Sequence, residues 1–147
     1  MDRVKYSILV GLLAVAVAAG CARHTAKPEA SLYDRLGGKP AIAAVVGDFL
    51  EKVGADPRVR HQPPADRVAV LSVYLTDLVC QATGGPCEYR GQPMKAAHAG
   101  MGITDAEFNA VVDDLVHTLE QYRVPEREKQ DLLALLAPMR QDIVEVQ

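Results

Sequence analysis

With 147 residues, the chain has room for one domain with a real core and a short leader. Apolar residues make up 49% of it, too many for a disordered tail, and the net charge of −3 comes without any basic stripe, which argues against a nucleic-acid partner. Tryptophan is absent, Phe49 and Phe108 are the only phenylalanines, and alternating β patterns are scarce, so the composition points to an all-α chain.

Residues 1–20 read as a targeting signal. Arg3 and Lys5 give a positive start, and Ile8 to Ala19 is an uncharged apolar run. A mature membrane-spanning helix needs about 20 apolar residues, so the run suits a signal peptide instead. The small residues Ala18, Ala19 and Gly20 precede Cys21, an arrangement that resembles a bacterial lipoprotein leader with lipid on Cys21. An ordinary secretory leader cut near Ala19 is the alternative. Both place the mature chain outside the cytoplasm, in the bacterial periplasm or on the cell surface. Residues 21–31, polar and small with Pro28, read as a tether. Residues 32–147 form the folded domain.

Leu32 to Leu36 makes a short helical turn, stopped by Gly37-Gly38. Pro40 fits the first turn of a second helix, on which Ile42, Val45, Val46, Phe49, Leu50 and Val53 share a stripe until Gly54. Residues 58–64 form a corner, since Pro63-Pro64 cannot sit inside a helix. Asp66 is placed to cap a helix reaching Ala82. Its core face is Val68, Leu71, Leu75, Leu78 and Val79, and Val70, Val73 and Tyr74 predict burial on more than one side. Gly84-Gly85-Pro86 breaks it. A one-turn helix over 94–99 ends at Gly100 and Gly102. Thr104 and Glu107 read as a capping box opening an amphipathic helix with Phe108, Val111, Val112, Leu115, Leu119 and Tyr122 inward. Pro125 starts the last helix, which Pro138 kinks or divides.

Of the four histidines, His24 falls in the tether, His117 on a polar face, and His61 in the proline corner. His98 lies one turn after Met94, so the two side chains share a face. With Cys21 assigned to lipid, Cys80 and Cys87 remain. In an oxidising compartment they read as a disulfide across the Gly-Gly break, and two free thiols are the alternative. No Cys-x-x-Cys-His run exists, which disfavours covalent c-type haem, and zinc would lack a fourth ligand.

The stretch Gly84-Gly85-Pro86-Cys87-Glu88-Tyr89-Arg90-Gly91-Gln92-Pro93-Met94-Lys95-Ala96-Ala97-His98 resembles the group 1 truncated haemoglobins, whose Gly-Gly break, Tyr-x-Gly-x-x-Met loop and one-turn helix it matches. Leu32-Tyr33-Asp34-Arg35-Leu36-Gly37-Gly38 looks like that family's opening, and Gly102-Ile103-Thr104 with Phe108 like its entry to the next helix. The resemblance covers residues 31–145. It implies a two-over-two helical sandwich, non-covalent haem b, and His98 as the iron ligand, leaving the other haem face for a diatomic gas. It further implies Met94 beneath the ring, Tyr89, Arg90 and Lys95 towards the propionates, and Phe49, Leu50, Leu71 and Leu75 around the pocket.

The chain also departs from that family. The tyrosine expected directly after the phenylalanine of the second helix is Leu50, and no tyrosine lies between Asp34 and Val73. The corner phenylalanine is absent, with Pro63 in its place. Leu71 and Leu75 stand where more polar residues are usual. A hydrogen bond to a polar bound gas contributes about 1–3 kcal/mol, so its loss predicts weak oxygen retention with CO and NO binding preserved. His61, Gln62 and Tyr74 are the nearby polar groups, and His61 is a candidate sixth ligand. NO dioxygenation, which needs retained oxygen and a reductase, is disfavoured. The competing readings are a globin fold without haem, serving as a structural or interaction module, and a thiol switch at Cys80 and Cys87.

Overall fold

The computed structural model describes residues 29–146. The leader, Cys21, His24 and most of the tether lie outside the described residues. Seven α-helices follow: α1 (Leu32–Arg35), α2 (Gly38–Ala55), α3 (Val68–Ala82), α4 (Met94–His98), α5 (Asp105–Gln121), α6 (Glu126–Leu136) and α7 (Arg140–Ile143). A 3-10 turn at Ala137–Met139 separates the last two, because Pro138 has no N–H to continue α6. Among the described residues there is no strand, only an isolated parallel bridge between Thr104 and Val146. No helix among them is long and apolar enough to cross a membrane.

α2 is the central element. Ile42, Val46, Leu50 and Val53 recur at helical spacing and are all buried. Against this stripe pack Leu71, Leu75 and Val79 of α3. Leu119 of α5 meets Leu132 of α6 and Leu32 of α1 in a second cluster. α2 with α3 and α5 with α6 therefore form two layers, joined where α2 packs on α5. The expected two-over-two sandwich is the observed fold.

Local chemistry sets the helix ends. Ser31 caps α1, its hydroxyl accepting the Asp34 N–H at 3.1 Å. Arg35 then fastens α1 to α6 through Glu128, at 2.9 Å, and Asp131. Thr104 caps α5 by accepting the Glu107 N–H at 3.2 Å.

Several expectations need correction. Asp66 does not cap α3. The Arg67 N–H donates to the Pro64 carbonyl at 2.8 Å, closing a turn, and the helix starts one residue later at Val68 without a side-chain cap. α3 is not buried on every side: Val73 faces outward, while Val70 and Tyr74 are open to the cavity described below. Tyr122 points outward, and its hydroxyl donates to Asp48 at 2.8 Å. The capping box at Thr104 is half formed, because the Glu107 carboxylate is engaged elsewhere.

Candidate functional site

Between the layers lies a cavity of about 640 Å³, nearly all apolar. Its size falls within the roughly 300–1,000 Å³ of small-molecule and cofactor sites. Of the expected residues, His98, Met94, Tyr89, Phe49, Leu50, Leu71 and Leu75 all line it. Arg90 and Lys95 are exposed and stand apart from the lining, and Arg90 pairs with Glu88 at 2.9 Å. The structure thus brings seven of the nine expected residues together around one cavity and leaves the two cations at the surface.

His98 ends α4. Its Nδ1 is 2.8 Å from the Met94 carbonyl oxygen, which can only accept, so Nδ1 carries the proton and donates. In the neutral ring, Nε2 is then the nitrogen with a free lone pair. The chain leaves α4 through Gly100 and Gly102, whose φ angles of 78° and 65° suit glycine. This turn aims both backbone N–H groups at Glu145, which accepts them at 2.7 and 2.6 Å. Those two bonds hold the Glu145 carboxyl below the usual carboxylate range. The C-terminal tail is itself held, since the N–H groups of Glu145 and Val146 donate to the Ile103 carbonyl at 2.9 and 3.2 Å.

The loop leading to α4 is fixed twice. Cys80 and Cys87 form a disulfide, with Cα atoms 5.7 Å apart. Tyr89 donates its N–H to the Gln81 side-chain oxygen at 2.6 Å and its hydroxyl to the Gln92 carbonyl at 2.8 Å. A Cβ on Gly91 would lie 2.3 Å from the Tyr89 hydroxyl, so the Tyr-x-Gly spacing is what lets the ring fold back. Tyr89 also meets Tyr74 edge-on at 6.4 Å between ring centres, and burial raises its phenol above the ordinary value.

Leu50, Leu71 and Leu75 bring no hydrogen-bonding group of their own to the opposite wall, where Tyr74 of α3 and Arg67 before it also line the cavity. The corner supplies another. His61 lines the cavity, and both its N–H and its Nδ1 lie 2.8 Å from the Glu107 carboxylate. Glu107, on the first turn of α5, is only 3% exposed, and its Oε2 has no hydrogen-bond partner. Burial alone pushes its carboxyl up, but the bonds from His61 outweigh that and hold it below the ordinary range. Gln62 turns away and donates to the Asp56 carbonyl at 3.1 Å, while His117 is exposed. The sequence reading took Glu107 for half of a capping box and missed this role. The missed signal is a charged residue where α5 turns its buried face.

Comparison with known proteins places this architecture. The family model "Bacterial-like globin" matches residues 31–145. A group 1 truncated hemoglobin of Tetrahymena pyriformis is 31% identical over 118 residues, covering 80% of this chain and 97% of that protein. One from Mycolicibacterium paratuberculosis is 34% identical over 122 residues, covering 83% and 90%. Among solved structures, the Tetrahymena pyriformis truncated hemoglobin in the Fe(III) form aligns with a TM-score of 0.73 at 30% identity, over 78% of this chain and 98% of that one. A 2/2 hemoglobin from Synechococcus, in the cyanomet state with covalently attached heme, aligns with a TM-score of 0.72 at 31% identity over the same shares. The chain is thus a globin of the bacterial-like type, and within that class it belongs to the group 1 truncated haemoglobins.

Proposed function

We propose that this truncated haemoglobin takes haem b non-covalently in the cavity, with His98 as the axial iron ligand, and binds a diatomic gas such as O2, NO or CO. The observation that carries the reading is His98 itself. It is an imidazole with its Nδ1 proton committed to the Met94 carbonyl, facing an apolar cavity of cofactor size. A large apolar ring fits the leucine, valine and phenylalanine lining, and iron within it fits the free Nε2. Haem supplies the iron that coordinates the gas. The chain would supply the rest: Met94 would pack against the ring, and the Gly100–Glu145 clamp holds the end of α4.

The leucine wall sets the gas preference. Leu50, Leu71 and Leu75 offer no hydrogen bond, so a ligand that gathers charge on binding, such as O2, is released sooner than in relatives with a donor there. CO depends less on such a bond and is retained. The leader and Cys21 add the reading that the mature protein is lipid-anchored at the bacterial periplasmic face or cell surface.

Titration of the purified domain with hemin tests the haem reading. A sharp, saturable Soret band is expected, and His98→Ala should weaken haem affinity by more than about 100-fold, since loss of an outer-shell partner alone costs roughly 10- to 100-fold. Absence of saturable uptake by the unsubstituted domain overturns the reading and leaves a globin fold serving as an interaction module.

A further inference from the structure

The cavity carries an acid–base pair that the haem reading leaves without a task. His61 lines the cavity, and its Nδ1 is bound to the Glu107 carboxylate at 2.8 Å. The carboxylate can only accept, so the shared proton sits on Nδ1 and Nε2 keeps a free lone pair. An imidazole in this state is a base. A buried carboxylate on Nδ1 stabilises the imidazolium that forms when Nε2 takes a proton.

The surroundings favour that uptake. Glu107 is buried, and its Oε1 accepts both the His61 backbone N–H and the ring, so one oxygen fixes the corner and the imidazole together. Its Oε2 has no hydrogen-bond partner, and the Arg60 guanidinium, 3.6 Å away, is mostly in solvent. A buried carboxylate costs stability unless it is compensated. A proton on His61 turns the contact into an ion pair and supplies that compensation. The other titratable or charged groups lining the cavity are Arg67 and Tyr74 on the α3 side, and Tyr89 and His98 on the α4 side. Glu107 is the one carboxylate among the lining residues.

The apolar lining decides which ligands need a base inside. An anion must shed its water to enter such a cavity, whereas a small neutral acid enters without that cost. At an iron centre an acid of this kind binds as its anion, so its proton must be left within the protein.

We infer that the His61–Glu107 pair is a proton acceptor for small weak-acid ligands: it takes the proton of a neutral acid HX, of the hydrogen sulfide or hydrogen cyanide type, so that the site retains X as the anion. The inference rests on the haem reading above. The H–X bond breaks, its electron pair stays on X, and the proton moves to Nε2 of His61, whose imidazolium pairs with Glu107. No electron is transferred, so the step needs no oxidant or reductant.

The test mixes the ferric, haem-loaded protein with cyanide at neutral pH, where the probe is almost entirely neutral hydrogen cyanide. Stopped flow reads the association rate, and a pH indicator in weak buffer reads the protons released. The wild type should release well under one proton for each cyanide bound. His61→Gln keeps a polar side chain of similar size but no base. It should bind about 100-fold more slowly, the low end of what a positioned base contributes, and release one proton per cyanide. Glu107→Gln should fall between the two in rate. As pH rises, the rate of His61→Gln should climb with the anion fraction and approach that of the wild type. CO binding to the ferrous forms moves no proton and should change far less. Equal cyanide rates and equal proton release in wild type and His61→Gln overturn the inference while leaving the haem reading intact. So does a CO rate that falls as far as the cyanide rate, which would mark a change in entry and not in proton transfer. Failure of the wild type to take up haem overturns both. If His61→Gln fails to fold, Glu107→Gln decides by the same two readings.

Discussion

Around His98 the chain is held by several contacts from different segments, whereas the His61 ring and its N–H are both held by one buried side chain. The His98 side uses the Met94 carbonyl, the N–H groups of Gly100 and Gly102, a disulfide and the C-terminal tail. These contacts are distributed, so removing one leaves the others. The His61 side concentrates its order in Glu107, with Val59 tucked beside Val53 and Ala110 beneath the corner.

The largest expected change comes from giving the leucine wall a donor. Leu50 is buried on α2 and lines the cavity. In Leu50→Tyr, the new hydroxyl should slow oxygen escape by roughly 5- to 150-fold, the equivalent of one hydrogen bond of about 1–3 kcal/mol. Stopped-flow or flash photolysis measures it, with CO escape nearly unchanged. The larger side chain should also cost about 1–3 kcal/mol in stability where it crowds α3. An oxygen rate equal to that of the parent would show that the leucines are not what limits retention.

A smaller change is expected on the other wall. Glu145→Ala removes both acceptors from the turn after His98. Glu145 is exposed, so solvent screens both bonds. Haem transfer to an excess of an acceptor globin should therefore quicken by only about tenfold, the low end of what loss of an outer-shell partner costs. Glu145→Gln, which keeps one acceptor oxygen, should fall between. Equal transfer rates in all three proteins would remove the C-terminal tail from the account of how α4 is held.

The two walls also differ in how far they were legible. The setting of His98 at the cavity could be read because its surroundings are local in sequence: the Gly-Gly break, the Tyr89–Gly91 fold-back and the glycines after α4 all lie within one stretch. The Cys80–Cys87 bond could be read for the same reason. The main helices followed from apolar periodicity. The His61–Glu107 pair could not be read, because its members lie 46 positions apart and Glu107 also matches a common local pattern, the capping box. Tyr122 was misread because periodicity places it inward, while a hydroxyl partner on Asp48 and the end of α5 let it turn out. The exposure of Val73 is a tertiary outcome: α2 covers only one side of α3, and nothing in the period says which face lacks a neighbour, while Val70 and Tyr74 open onto the cavity.

The smallest predicted effect sharpens the comparison within α5 itself. This helix buries two acids seven positions apart on one face, Glu107 and Asp114. Glu107 is bound through Oε1 by His61, with Oε2 unpartnered, and lies below the usual carboxylate range. Asp114 has an unpartnered Oδ2; burial first, and the Asp56 charge second, push its carboxyl above the ordinary value. A carboxyl with a raised folded pKa binds its proton more tightly when folded, so it favours the fold at low pH. That contribution is lost as pH rises from about 4, the unfolded value, through the raised folded value. Asp114→Asn removes the charge and keeps the shape. At pH 7 it should stabilise the domain by roughly 1 kcal/mol, a rise of about 4 °C in the melting temperature. Below about pH 4 both proteins are neutral at this position, and the difference should vanish. Thermal melts at the two pH values check it. A gain that persists at low pH would mean that packing, not the buried charge, separates Asp114 from Glu107.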